Sequence, residues 1–300
     1  MRQKLFVLLT VILCIGAVSF SDVFAQSAEI IPLPGLMEDV KKLADKTNPE
    51  RLEALKDMLS EKGIPFEVES FTSISRRDSS ITEGNNLVVT LGSGTSDIVI
   101  GAHYDKVNVG SGVVDNGCAA VILTRVADAL KNENLNHRIR IVFFDMEERG
   151  LVGSRQFVET HKDDPIVSMI NLDVDAYGNT IMMGPIPFTG MNRLYRTAKT
   201  VCVENDINFI VFPRYGGSDD RSFQSAGIEN ISIGIATAQE AHQFWLSLNG
   251  EEDFRPQGRA KIMTSMHSEN DSMDLVQPEA MTRTYIVVLE TLMKLDKMDR

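Results

Sequence analysis

The chain has 300 residues, 43% hydrophobic and 24% charged, a balance that describes a globular protein able to bury a core of real size without staples. Thirty basic against 42 acidic residues leave a formal charge of −12; with no long basic run either, this excludes the phosphate-neutralising face that nucleic-acid binding requires. Three cysteines are too few for a disulfide framework or a cysteine-rich zinc module.

Arg2 and Lys4 precede an apolar run from Leu5 to Phe20, and Val23 and Ala25 offer small residues at two cleavage positions. This pattern predicts a cleaved secretory signal over residues 1–25. The run is 16 residues long, short of the ~20 that span a bilayer as a helix, so no stable membrane insertion is expected after cleavage. A lipid anchor on Cys14 is disfavoured because Leu13 stands where a small residue belongs. The expectation is an exported protein, periplasmic or secreted. Cys118 and Cys202 then meet an oxidising setting in which they could pair; the small neighbours Gly117 and Ala119 mark Cys118 as buried, and two free thiols are expected.

From Met37 to Lys62 the apolar spacings of three and four predict two amphipathic helices broken near Asn48 and Pro49. Strand-like runs follow at Phe66–Phe71, Asn86–Leu91 and Asp97–Gly101, then a helix over Asn116–Leu130, a strand over Arg138–Asp145 and a helix over Leu151–His161. Val167–Val174 reads as a strand, Met191–Val203 as a helix, Ile207–Phe212 as a strand, Arg221–Ala226 as a short helix, Ile231–Ile235 as a strand and Pro278–Lys294 as a closing helix. Ala238–Met266 lacks a clean period and reads as a long loop, with Phe244, Trp245 and Phe254 favouring an ordered cover over an apolar pocket. Strands alternating with helices, several apolar on both faces, define an α/β class with helices on both sides of a mostly parallel sheet. No linker divides residues 26–300, so one domain is expected.

In such a sheet chemistry gathers at the carboxyl ends of strands. Here those ends carry His103, Tyr104 and Asp105, then Asp145, Glu147 and Glu148, then Asp173; Asp115 opens a helix after a turn containing Gly110 and Gly112, and His267 follows the long stretch. Each residue alone has a plain structural reading. His103 reads as a hydrogen-bonded core residue, Asp115 as a helix N-cap, the glutamate pair as a solvated edge and Asp173 as a turn former. Together, carboxylates delivered into one crevice would repel and lose hydration, and divalent cations resolve that conflict. Two dications balance three carboxylates and one hydroxide, while two neutral imidazoles complete the shells. A mixed nitrogen and oxygen ligand set suits zinc, with cobalt or manganese as substitutes.

These segments resemble the zinc-dependent exopeptidases of metallopeptidase family twenty-eight (clan MH), which include bacterial leucyl-type aminopeptidases. The resemblance rests on GAHYDKV (101–107), GVVDNGCAA (112–120), FFDMEERGLVGS (143–154), INLDVDAYG (170–178), SDDRSF (218–223) and MHSENDSMD (266–274), in family order. It implies a three-layer α/β/α domain with a central mixed, mostly parallel sheet. It implies two Zn2+ per chain, one held by His103, Asp115 and Asp173 and the other by Asp115, Glu148 and His267, with Asp115 bridging. Asp105 would orient His103 by accepting from its far ring nitrogen, Glu147 would be the general base, and Asp219 would support the site from behind. The family often has His where this chain has Asp220, so no role is carried to that position. Tyr215 stands one residue out of register from a tyrosine that donates to the oxyanion in some relatives. The implied reaction is hydrolysis of amino-terminal residues from peptides with a free amino terminus, through a metal-bridging hydroxide. Two alternatives remain open: a single-zinc glutaminyl-peptide cyclotransferase, and a family carboxypeptidase that would use Arg214, Arg221 or Arg255 to hold a substrate carboxylate.

Overall fold

Strand residues that alternate between two apolar environments require a sheet covered on both sides, and that is the arrangement observed. The computed structural model describes residues 30–74, 81–186, 192–250, 252 and 258–298; the expected signal segment, Phe254 and Arg255 lie outside them. The described chain opens with helices α1 (Leu36–Leu43) and α2 (Asn48–Glu61). Their break is chemical: Thr47 and Glu50 form a capping box in which the Thr47 N–H donates to Glu50 at 2.8 Å, with Pro49 in the first turn. Strands β1 (Glu67–Ile74), β2 (Ile81–Leu91) and β3 (Asp97–His103) follow, then α3 (Cys118–Leu130), β4 (Arg138–Phe144), α4 (Val152–Thr160) and β5 (Ile166–Leu172). The remainder is β6 (Thr180–Gly184), α5 (Arg193–Glu204), β7 (Asn208–Val211), α6 (Asp220–Ser225), β8 (Glu229–Ala236), α7 (Ala238–Asn249), α8 (Lys261–Ser265) and α9 (Pro278–Met298).

The strands form one eight-stranded sheet in the order β1-β2-β4-β3-β5-β8-β6-β7. Its centre, β4-β3-β5-β8, is parallel, while β2 and β6 join that centre antiparallel. The sheet is therefore mixed with a parallel heart, as expected. On one face Ile98, Ile100, Ile139, Ile141 and Ile170 pack with residues of α1, α2, α3, α5 and α9. On the other, Val88, Val99, Val142, Phe144 and Met169 pack with Phe157 of α4 and Phe223 of α6. The alternation along each strand thus selects its two layers of helices. Cys118 and Cys202 are both buried and free. Among the described residues no helix is long and apolar enough to cross a membrane.

Three readings need correction. Ala238–Met266 is not a continuous loop: it begins with α7, whose Thr237–Glu240 capping box and apolar Ala241, Phe244, Trp245 and Leu248 supply a helix start and a helical face. Trp245 donates its indole N–H to the Val211 carbonyl at 2.9 Å, tying α7 to the sheet edge. The helix expected from Asn116 starts two residues later, because Asp115 and Asn116 carry non-helical backbone angles. Strand β6 falls where no element is expected, since a five-residue buried run has too few positions to display a period.

Phe157 is fully buried and meets Phe144 edge-on at 5.9 Å between ring centroids. Phe157→Ala is expected to cost about 3–5 kcal/mol through lost burial and a residual cavity, measured by urea unfolding. A loss below about 1 kcal/mol would contradict this packing.

Candidate metal centre

Because β3, β4 and β5 run parallel, their carboxyl ends share one edge of the sheet. His103 is the last residue of β3 and pairs with Phe144, the last of β4. The Glu147–Glu148 turn follows β4, and Asp173 directly follows β5. Asp115 reaches the same edge on the irregular turn before α3, next to a cis peptide bond to Asn116. The Asn116 amide binds both sides of Asp173: it donates to the Leu172 carbonyl at 2.9 Å and accepts from the Val174 N–H at 3.1 Å. No role for Asn116 is readable from its residue type alone, although its place between Asp115 and the buried start of α3 is a signal.

The Asp115 carboxylate divides between two imidazoles. One oxygen lies 3.2 Å from Nε2 of His103, and the other lies 3.2 Å from Nε2 of His267. His103 Nε2 is also 3.8 Å from Asp173 Oδ1, and His267 Nε2 is 2.8 Å from Glu148 Oε2. Two groups result, His103/Asp115/Asp173 and Asp115/Glu148/His267, each able to present one ligand atom per residue with all atoms within 4.8 Å. Asp173 Oδ1 is buried and accepts no hydrogen bond, an orphaned charge of the kind that a cation completes. The residues therefore fit divalent metal, and their nitrogen and oxygen donors fit zinc.

The plain readings fare differently. Asp115 does not cap α3, which has Gly117 before it and no side-chain cap. The glutamate pair is not a solvated edge, since the Glu148 side chain is only 9% exposed. Asp105 lies beside His103, whose Nδ1 is 3.1 Å from the Asp105 main-chain carbonyl and 3.3 Å from its carboxylate. The two oxygens of that carboxylate also accept the N–H groups of Glu147 and Glu148, at 3.0 and 3.2 Å. Asp219 is fully buried at the start of α6, and its charge acts on Glu147. Tyr215 forms part of the wall of an apolar cavity beside Asp173, packed edge-on against Phe212.

The electrostatics follow from burial without a cation. Burial raises Glu147 to about 8, with Asp173, Asp219 and Asp115 adding to the rise and His103 opposing it. Burial raises Glu148 to about 7, reinforced by Asp115. Burial likewise raises Asp219 to about 7. Burial alone would lower His103, but the carboxylates of Asp105, Asp115 and Asp173 around the ring outweigh it and leave it raised. His267 rises to about 9, chiefly through its hydrogen bond to Asp115. Asp115 is held below its ordinary range: burial pushes it up, and the two histidines more than reverse that. In the metal-free protein, protons on imidazole and carboxyl groups therefore do part of the work of a cation.

The comparisons with known proteins agree with this arrangement. The model of peptidase family M28 matches residues 86–292, and the chain belongs to that family. Leucine aminopeptidase 2 of Trichophyton equinum is 35% identical over 115 residues, which is 38% of this chain and 22% of that protein. The matched stretch thus spans about a fifth of that curated relative's length. An aminopeptidase from Aneurinibacillus sp. strain AM-1 superposes with a TM-score of 0.68 at 13% identity, covering 87% of this chain and 93% of that one. A glutaminyl cyclase from an Acidobacteriales bacterium superposes with a TM-score of 0.67 at 16% identity, covering 87% and 92%. At these identities the superpositions show a common fold.

A ligand must shed its proton before it binds metal. With Glu148 raised to about 7 and His267 to about 9, zinc affinity of the metal-free protein is expected to rise from pH 6 to pH 8, with proton release on binding. Calorimetric titrations in buffers of different ionisation enthalpy measure both. An affinity independent of pH across that range contradicts the assignment.

Proposed function

We propose that this chain is a two-metal aminopeptidase that removes amino-terminal residues with large apolar side chains. The observation that carries the proposal is Asp115, whose two oxygens face separate histidine–carboxylate sets, while Glu147 adjoins the site and belongs to neither set. In this reading His103, Asp115 and Asp173 hold one ion, and Asp115, Glu148 and His267 hold the other. Bound zinc supplies Lewis acidity toward a carbonyl oxygen and makes a water molecule acidic enough to lose a proton near neutral pH.

The chain's own groups do the rest. Glu147 accepts the proton of the attacking water and later delivers it to the departing amine. Its hold is Asp105, which fixes the N–H groups of both glutamates. Burial keeps the Tyr215 hydroxyl protonated well beyond its ordinary range, so it can donate a hydrogen bond to the developing oxyanion. Asp219, fully buried, contributes negative charge that favours the protonated form of the base. The acidic rim formed by Glu147 and Asp173 suits the cationic α-amino group of a substrate, which is the physical basis for amino-terminal action.

Specificity follows from the neighbouring cavity of about 300 Å³, lined by Tyr215, Phe244, Ile262, Met263 and Met266 beside Asp173. A wall in which Val174, Met182, Phe244, Ile262, Met263 and Met266 predominate suits leucine- or methionine-like side chains better than a glutamine amide. That disfavours cyclisation of amino-terminal glutamine, even though a glutaminyl cyclase shares the fold. Among the described residues no arginine or lysine lines the cavity, which disfavours a carboxypeptidase that grips a substrate carboxylate there.

Leucyl and methionyl arylamides are expected to be hydrolysed, N-acetyl-leucyl arylamide to be left intact and glutaminyl peptides to remain uncyclised, with activity lost on chelation and restored by zinc. Glu147→Gln is expected to retain metal by elemental analysis and to lose at least about 100-fold in kcat. Near-wild-type turnover by this variant removes Glu147 as the base; release of pyroglutamyl peptide in place of leucine replaces the hydrolase with the cyclase.

A further inference from the structure

Two buried charged side chains outside both ligand groups stand between the segments that carry the ligands. Arg51 of α2 is 0% exposed and precedes the part of the chain matched by the family model. Its Nε donates to the Tyr104 carbonyl at 2.5 Å, and Nη1 donates to the carbonyls of Gly112 at 3.0 Å and Leu43 at 3.3 Å. Tyr104 lies between His103 and Asp105, and Gly112 lies on the turn that leads to Asp115. A single planar, permanently charged fork thus ties the His103 segment to the Asp115 turn. The turn is shaped around it: Gly112 has φ of 71°, and a Cβ there would lie 2.9 Å from Nη1.

Asp271 does the corresponding work from the opposite end of the chain. It is 3% exposed. One carboxylate oxygen accepts the N–H groups of Val113 and Val114, each at 2.9 Å, and the other accepts the Asp115 N–H at 3.2 Å. Its main-chain carbonyl accepts the Ser111 N–H at 2.7 Å and the Ser111 hydroxyl at 2.9 Å. With the Ser111 hydroxyl also 3.4 Å from the carboxylate, six hydrogen bonds from residues 111–115 converge on a residue four positions after His267. A carboxylate facing three successive N–H groups of a ligand-bearing turn sets the path of that backbone, and with it the direction of the Asp115 side chain.

We propose that Arg51 and Asp271 are positioning residues of the metal centre: together they lock the His103 and His267 segments to the Asp115 turn, so that both ligand sets are formed before a cation arrives. This inference rests on the metal-binding reading given above. Neither residue belongs to a ligand set; each acts through backbone that carries a ligand. Removing either bond set leaves every ligand in the chain and frees the angle at which Asp115 divides its two oxygens.

The test uses Arg51→Lys, which keeps the charge but cannot span the Tyr104 and Gly112 carbonyls in the same geometry, and Asp271→Asn, which sets a donor against one of the N–H groups. Zinc affinity of the full chain is measured by competition with a chromogenic chelator, and melting of the metal-free protein by circular dichroism. Phe157→Ala serves as the control for destabilisation at a buried residue outside both ligand sets and outside the Arg51 and Asp271 contacts. Both site variants are expected to lose roughly 10–100-fold in zinc affinity while the metal-free forms remain folded at the assay temperature, with activity recovering in excess zinc. Phe157→Ala is expected to melt earlier and to keep wild-type zinc affinity. Wild-type affinity in folded Arg51→Lys and Asp271→Asn overturns the inference. So does a loss of affinity that merely tracks unfolding of the metal-free variants, for then the two residues hold the fold and not the site. A wild-type chain that binds no zinc is a different failure, that of the metal-binding reading itself.

Discussion

Like charges held a few ångströms apart away from bulk water must acquire either protons or a cation, and the rest of this molecule is arranged around that requirement. Asp115, Asp173, Glu147 and Glu148 converge on one edge of the sheet with His103 and His267 among them. Without metal, the conflict is relieved by protons: the histidines become more basic, and the buried glutamates hold their protons beyond the ordinary range. In the proposed enzyme the same groups serve as ligands and a base. This is why Glu147 can be close to the centre without joining it, since its N–H, like that of Glu148, is fixed by Asp105.

The architecture supplies the convergence. Parallel pairing of β3 with β4 and β5 brings three carboxyl ends to one edge, and the irregular turn between β3 and α3 holds Asp115 at the same place. Apolar residues on both sheet faces leave the strands little freedom to slip. The cost appears locally, in left-handed backbone at Met146, Val174 and His267, each within or beside a ligand-bearing turn. For a β-branched residue such as Val174 this conformation is unfavourable by about 1–3 kcal/mol, which the surrounding packing and the Asn116 hydrogen bond to its N–H offset.

Much of this is legible in the chain itself. Strands β3, β4 and β5 carry largely apolar runs that lead into polar residues, a pattern that sets both class and site edge. The ordered motifs name the same residues that the fold gathers. What escapes is short or non-local. Strand β6 is too brief to show a period, and α7 lies in a stretch that reads as loop although its capping box and apolar spacing mark a helix start. Trp245, expected over the pocket, instead donates to Val211 at the sheet edge, a partner chosen by tertiary packing. Asp105 stands beside His103 as expected, yet its carboxylate also serves two backbone N–H groups 42 and 43 residues away. Arg51 sits on a helix whose other buried residues are apolar, and nothing in its neighbours announces carbonyls at Tyr104 and Gly112.

The central claim is that Asp115 lies between two cations and not beside one. Crystals of the zinc-loaded chain, measured on either side of the zinc absorption edge, test it most directly. The account predicts two anomalous peaks about 3.5–4 Å apart, one on each side of the Asp115 carboxylate, the first contacted by His103 and Asp173 and the second by Glu148 and His267. A single peak, or a pair placed away from Asp115, would contradict it.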